Sequence, residues 1–188
     1  LMSESGRALV AHSSLLICEV IGSRVFPCKP DSKLLEGALS QEQPPQPLLD
    51  AHDAYQRRSD DDLLEAYADA EHALAEATTL FSLGYMDLQA RAACEELYWA
   101  MGRAVLDEYG NDLPEGLDHL PDQLADLYFL NLSIFQSLLD TWGIEQIFPV
   151  MPIHRLGEEP TRRGVLADIT CDSDGRVDRF PGEWGPKS

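Results

Sequence analysis

The run from Ser59 to Phe81, SDDDLLEAYADAEHALAEATTLF, decides the fold class of most of this chain. Leu63, Tyr67, Ala70, Leu74, Ala77 and Phe81 recur at steps of three and four, the spacing of one apolar stripe on an α-helix. Asp62, Glu65, Asp69 and Glu76 fall on its solvated side. Ser59 is the expected N-cap, with Asp60 to Asp62 set favourably against the positive end of the helix dipole. A second stripe follows at Ala90, Ala93, Leu97, Met101 and Ala104, with Gly110 where a C-terminal cap is expected. A third covers Leu120, Leu124, Leu127 and Tyr128, with Pro121 suited to a first turn. Three amphipathic helices with short connections predict a small bundle over 48–131. The aromatic and methionine side chains on these stripes are expected to be core.

Outward from the bundle the pattern changes. Residues 1–26 hold Leu15, Leu16, Ile17, Val20, Ile21 and Val25, a β-rich segment broken by Gly22. Residues 27–47 are rich in Pro, Ser, Glu and Gln and read as a linker or long loop. Beyond the bundle, residues 132–188 turn to strands. Ile147 to Ile153 is extended because its prolines exclude helix. Gly164 to Cys171 reads as a buried strand, and Asp172-Ser173-Asp174-Gly175 as the turn after it. The fold class is therefore α+β. Both ends read as cuts from something longer.

Composition narrows the function. Of 188 residues, 33 are acidic and 14 are Lys or Arg, giving a formal charge of −19 that repels nucleic acid and anionic membranes. This acidity mainly serves solubility, and it also attracts cationic small molecules. The stretch from Ala8 to Ile21 is too short and too polar to span a bilayer. The four cysteines Cys18, Cys28, Cys94 and Cys171 form no C-x-x-C pair and no zinc spacing, so a reduced, cytoplasmic compartment and no metal ligand are expected.

Three places can carry chemistry. In Glu4-Ser5-Gly6-Arg7, a glycine lets backbone approach an anion and an arginine can clamp a phosphate, although a surface turn reads the same way. In Thr170-Cys171-Asp172-Ser173-Asp174-Gly175, an exposed thiol can move protons and the carboxylates can bind a cation. The alternatives there are a small buried cysteine or a divalent-cation loop, which lacks the ligand count of an EF-hand. The run from Asn131 to Gln146 mixes polar groups with large aromatics, which suits a pocket lining or ordinary packing under a loop.

In this order, and around this helical region, the three motifs resemble the biosynthetic arginine decarboxylases. The likeness runs from Glu4 to about Phe180, most specifically in NLSIFQSLLDTWGIEQIFPVMPI and VLADITCDSDGRVDRF, with SESGRALVAH as a further match. It implies a pyridoxal-phosphate enzyme with an alanine-racemase-type (β/α)8 barrel, a β-sandwich-like domain and a helical bundle inserted between them. This chain would hold the end of the barrel, the insert and the first strands of the β domain. Sister decarboxylases have E-P-G-R where this chain has Glu4 to Arg7. By that match Glu4 pairs with the cofactor's ring nitrogen, while Gly6 and Arg7 hold its phosphate.

Cys171 falls on the family's catalytic cysteine, which acts across a dimer interface, and Asp172 on the residue that meets the distal end of the substrate. Asp174 is a second contact for guanidinium, and Asp140 lies near another substrate-binding aspartate across a gap. The implied substrate is L-arginine, converted to agmatine and carbon dioxide for polyamine synthesis, in a homodimer or larger homo-oligomer. On the resemblance alone, magnesium stands as a second cofactor.

The chain also departs from the family. His12-Ser13 stands where two histidines are common, and the sequence from Pro181 onward does not follow the pattern. The cofactor lysine belongs upstream of Glu4, and Lys29, Lys33 and Lys187 are in no suitable context. The polypeptide alone is therefore expected to be inactive. Rival readings are a non-catalytic helical module for oligomerisation or regulation, and a sister decarboxylase acting on ornithine or diaminopimelate.

Overall fold

A computed structural model describes residues 6, 10, 13–59, 62–110, 112–159, 162–182 and 185–187. The chain divides into two compact units, one of residues 25–126 with 161–163, the other of residues 1–24, 127–160 and 164–188.

The first unit is helical. Helix α1 is Ser32–Leu39, α2 is Gln46–Gln56, α3 is Leu63–Ser82 and α4 is Leu88–Tyr109, with a single turn, α5, at Leu120–Gln123. Alanine dominates the contact faces. Ala66, Ala70, Ala73 and Ala77 of α3 and Ala90, Ala93 and Ala100 of α4 are all buried. Such small side chains let helix backbones approach closely. Larger groups fill the remaining space in two clusters. One gathers Phe26, Tyr67, Tyr98, Met101, Leu120 and Leu124. The other gathers Ala38, Leu48, Met86, Cys94 and Leu97. Aromatic rings link the first cluster, with centroids 4.8 Å apart for both Phe26–Trp99 and Tyr98–Trp99. Buried Tyr67 and Tyr98 join hydroxyl to hydroxyl at 2.9 Å. Burial raises both phenol pKa values, so both stay neutral donors and acceptors. At Gly102 an added Cβ would stand 3.1 Å from Leu124 and 3.2 Å from Leu120, so this glycine makes the space that seats α5 against α4.

The four-residue stripe Leu63, Tyr67, Ala70 and Ala77 is buried as expected, and Leu74 packs against both clusters. Phe81 is exposed and lies beneath Arg91. Ser59 does not cap: it closes a 3-10 turn, Arg57–Ser59, and α3 begins after Asp62. Gly110 does end α4, at φ 55°.

Three elements differ from expectation. The stretch 27–47 is not all loop. Asp31 accepts the amides of Lys33 and Leu34 and so starts α1, which buries Ala38 in the second cluster. The proline-rich composition around it masked a capped, amphipathic helix of about two turns. The third predicted helix is also wrong after one turn. Leu127 and Tyr128 belong to a strand, because backbone pairing outcompetes the short apolar periodicity there.

The second unit is built on a four-stranded sheet in the order β1 (Val20–Arg24), β2 (Asp126–Leu130), β3 (Gly164–Ala167) and β4 (Arg176–Val177). β1 and β2 are antiparallel, with Gly22 opposite Phe129 and a bulge between Val20 and Gly22. β3 and β4 form a hairpin with Leu166 opposite Val177. Helices α6 (Ile134–Ser137) and α7 (Leu139–Gly143) follow β2, and β5 (Phe180–Gly182) pairs with β6 (Gly185–Lys187). The buried strand predicted to reach Cys171 stops at Ala167 and is only half-buried.

One ion pair fastens the helical unit. Asp126 is fully buried, and Arg162 grips both its oxygens, at 2.6 and 2.7 Å. The same guanidinium donates to the carbonyl of Phe26 at 2.9 Å. The carboxylate, through its hydrogen bonds, is the first of the causes that raise the Arg162 pKa. Arg162→Ala strands a buried carboxylate and should lower the unfolding free energy by about 3 kcal/mol. Urea unfolding checks this. The double change Arg162→Met with Asp126→Leu should be less damaging than the single one, because no unpaired charge remains.

Candidate active site

The sheet positions the site through the loop joining β3 to β4. The chain leaves β3 at Asp168 and returns at Gly175, whose carbonyl accepts the Asp168 amide at 2.8 Å. Within the loop, Asp172 accepts the amide of Asp174 on its side chain at 3.0 Å and that of Gly175 on its carbonyl at 3.1 Å. This is the tight turn that Asp-x-Asp-Gly favours. Cys171, Asp172 and Asp174 are all exposed at its tip. The structure thus places three of the expected site residues on one loop, with a free thiol between Thr170 and two carboxylates.

The residue that shapes this loop escaped the sequence reading. Asp168 is only 5% exposed. One of its carboxylate oxygens accepts the Ile134 amide at 2.9 Å. The other accepts the Thr170 amide at 2.9 Å and the Thr170 hydroxyl at 2.6 Å. Burial pushes its pKa up, but the Thr170 hydroxyl and the two amides outweigh burial and hold it below the ordinary carboxylate value. Gly175 completes the cradle: a Cβ there would lie 2.3 Å from the Asp168 oxygen. The signal was present as Asp168-x-Thr170 at a strand end, a pattern that favours side-chain-to-backbone bonds.

The other expected residues stand apart from this loop in the chain. Asp140 is half-buried on α7, where its carbonyl accepts the amides of Ile144 and Gln146. Around it the aromatic run packs partly on itself, with Phe135 and Trp142 edge to face at 5.6 Å, though Trp142 stays 54% exposed. Glu4, Arg7 and His12 lie outside the described residues. Gly6 is exposed, and a Cβ on it would meet nothing within 4 Å among the described residues. Lys29 and Lys33 are exposed in the helical unit. Among the described residues no group of three or more His, Cys, Asp or Glu is placed to hold a metal ion, and no helix is long and apolar enough to cross a membrane.

Comparison with known proteins bears on all of this. Residues 41–126 match the arginine decarboxylase helical bundle domain. A biosynthetic arginine decarboxylase of a Synechocystis species is 45% identical over 186 residues, covering 96% of this chain and 25% of the relative. That of Thermosynechococcus vestitus is also 45% identical, over 96% of this chain and 28% of its own length. The crystal structure of the biosynthetic arginine decarboxylase of Campylobacter jejuni superposes with a TM-score of 0.65 at 33% identity, over 90% of this chain and 25% of that one. Residues 41–126 belong to the arginine decarboxylase helical bundle family, and nearly the whole chain is similar to biosynthetic arginine decarboxylases. It spans about a quarter of the length of the curated relatives it matches. Its helical unit begins before the family's bundle domain, at residue 25 rather than 41, because α1 packs with the others, and both end at residue 126 apart from the returning 161–163.

The cradle predicts its own acid response. A carboxyl whose pKa is lowered by folding contributes stability above its unfolded value of about 3.9 and loses it as pH falls through the lower folded value. Amide exchange at Ile134 and Thr170 should therefore stay slow down to about pH 4 and quicken below it. Gly175→Ala, which forces the carboxylate aside, should quicken both at neutral pH, with a local cost of about 1–3 kcal/mol.

Proposed function

We propose that these residues serve a pyridoxal-phosphate-dependent decarboxylase that converts L-arginine to agmatine and carbon dioxide in the cytoplasm, on the route to polyamines. The loop from Asp168 to Gly175 carries the reading, in a chain 45% identical to named arginine decarboxylases. It presents an exposed thiol and two exposed carboxylates on one turn. Carboxylates suit the planar fork of a guanidinium, which pairs bidentately. A thiol beside them can return a proton to carbon after carbon dioxide leaves, provided it is protonated at that moment.

In this reading Cys171 is the proton donor, Asp172 and Asp174 receive the substrate's distal end, and Asp140 assists. Residues 1–26 hold the end of the cofactor-binding barrel and the strand that follows it, β1. Glu4 meets the cofactor's ring nitrogen, and Gly6 with Arg7 holds its phosphate. When bound, pyridoxal phosphate supplies the electron sink for decarboxylation. No step is assigned to magnesium. Cys171 works toward the cofactor of a second subunit, so the enzyme is at least a homodimer.

Exposed apolar surface suits cover by further parts of a full-length enzyme or by a second subunit. Leu15, Ile17, Val20 and Ile21 are exposed on and before β1, and Met151, Ile153 and Leu156 beyond α7. Exposed apolar surface on this scale marks an interaction face.

The test is direct. The 188-residue chain with pyridoxal phosphate and arginine should yield no agmatine, because Lys29, Lys33 and Lys187 offer no cofactor lysine. A full-length enzyme carrying these residues should release carbon dioxide from arginine far faster than from ornithine or diaminopimelate. In that enzyme Cys171→Ser should lower kcat about 10²–10⁴-fold, the range for a lost general acid. A preference for ornithine, or a serine variant as fast as the parent, would refute the assignment.

A further inference from the structure

We propose that Asp168 is the positioning residue of the reaction, a buried carboxylate that sets the Cys171 loop in its working geometry by holding the Ile134 amide on one oxygen and Thr170 on the other. The inference rests on the reading of Cys171 as the proton donor and adds a residue that the reading did not contain.

Exposed side chains on a loop are poorly fixed by their own packing. Cys171, Asp172, Ser173 and Asp174 are all exposed, and among the described residues the tip is held only by the turn's own bonds, from the Asp174 and Gly175 amides to Asp172. The loop is held from its base instead. Asp168 and Gly175 close it backbone to backbone, and the Asp168 carboxylate reaches forward two residues to Thr170, the immediate neighbour of Cys171. Its second oxygen reaches the amide that opens α6, which ties the loop to the segment carrying Asp140 on α7. All three donors converge on one carboxylate that is almost completely out of solvent. An unpaired carboxylate would be costly to bury, whereas one accepting three hydrogen bonds is a stiff anchor. Gly175 leaves the space it needs, since a Cβ there would approach all of its terminal atoms to within 2.7 Å.

Asparagine replaces one acceptor oxygen with an N–H₂ donor of nearly the same shape. That donor must face either the Ile134 amide or the Thr170 pair, donor against donor. The loop should then relax while the sheet beneath it stays paired. Misplacement of a reacting group by about 1 Å can cost about 10²-fold in rate.

The experiment is a double-mutant cycle in the full-length enzyme, with kcat and KM for arginine as readouts. Asp168→Asn should lower kcat about 10²-fold with a much smaller change in KM. In a Cys171→Ser background the same change should cost little further, because the residue it positions has already gone. Thr170→Ser, which keeps the hydroxyl, should retain kcat. Thr170→Val removes only the hydroxyl that donates to Asp168 and should lower kcat even if Asp168→Asn proves unstable.

If Asp168→Asn keeps full kcat, or costs the same factor with and without Cys171, the positioning role is wrong. Equal kcat for Thr170→Val and the parent also overturns it. If Cys171→Ser itself keeps full kcat, the catalytic reading falls and this inference falls with it. If Cys171→Ser is crippled and Asp168→Asn is not, only this inference falls.

Discussion

The fold depends on one buried carboxylate and the guanidinium that neutralises it. Asp126 closes the continuous stretch of the helical unit and is also the first residue of β2, and Phe26 stands near the start of that unit. Arg162 bonds both, carboxylate and carbonyl, although it arrives from more than thirty residues downstream. The pair therefore pins the two ends of an insertion of roughly a hundred residues, set between two strands that pair antiparallel as a hairpin would. Closing so long a connection from a disordered chain costs about 3 kcal/mol more than closing a turn of a few residues. A folded bundle with its ends held by Arg162 removes most of that penalty.

What the sequence made legible follows from where one physical signal dominates. The α3 stripe was readable because twenty residues of helix average out single exceptions, and only Phe81 at its far end falls outside. The α1 helix was hidden by neighbouring prolines, although Asp31-x-Lys33-Leu34 is an ordinary N-cap pattern once the local chemistry is weighed. The segment Leu120 to Leu130 misled for the opposite reason. It offers three-and-four spacing, but Pro121 starts a helix that lasts one turn, and Asp126-Leu127-Tyr128-Phe129-Leu130 then finds a partner in β1. Pairing with a strand a hundred residues away is invisible to a local periodicity.

The candidate site divides in the same way. The tip of the loop was legible, because Asp-Ser-Asp-Gly has few uses other than a turn and a cysteine beside it stands out. The base was not legible. Asp168 follows the hydrophobic run Val165-Leu166-Ala167, where an acid looks like the first solvated residue after a strand. Its burial depends on the amide of Ile134, which comes from a segment thirty-four positions earlier in the sequence. A residue whose role is set by a distant backbone donor gives no local sign beyond the Thr170 that shares it.

The only buried charged or polar residues among the described core are Asp126 and Asp168, in a chain of formal charge −19 whose acids otherwise stay at least partly in water. Each avoids the penalty differently. Asp126 meets a full positive charge, so removing Arg162 leaves it uncompensated whatever the backbone does. Asp168 meets only partial charges, two amides and a hydroxyl, whose strength depends on their geometry. The first arrangement tolerates small movements, because charge attraction falls off slowly with distance. The second does not, because hydrogen bonds weaken steeply as they bend. A fastener for a large insertion is well served by the tolerant kind. A loop proposed to present a thiol at a fixed place is better served by the strict kind, and the Cys171 loop is the one that has it.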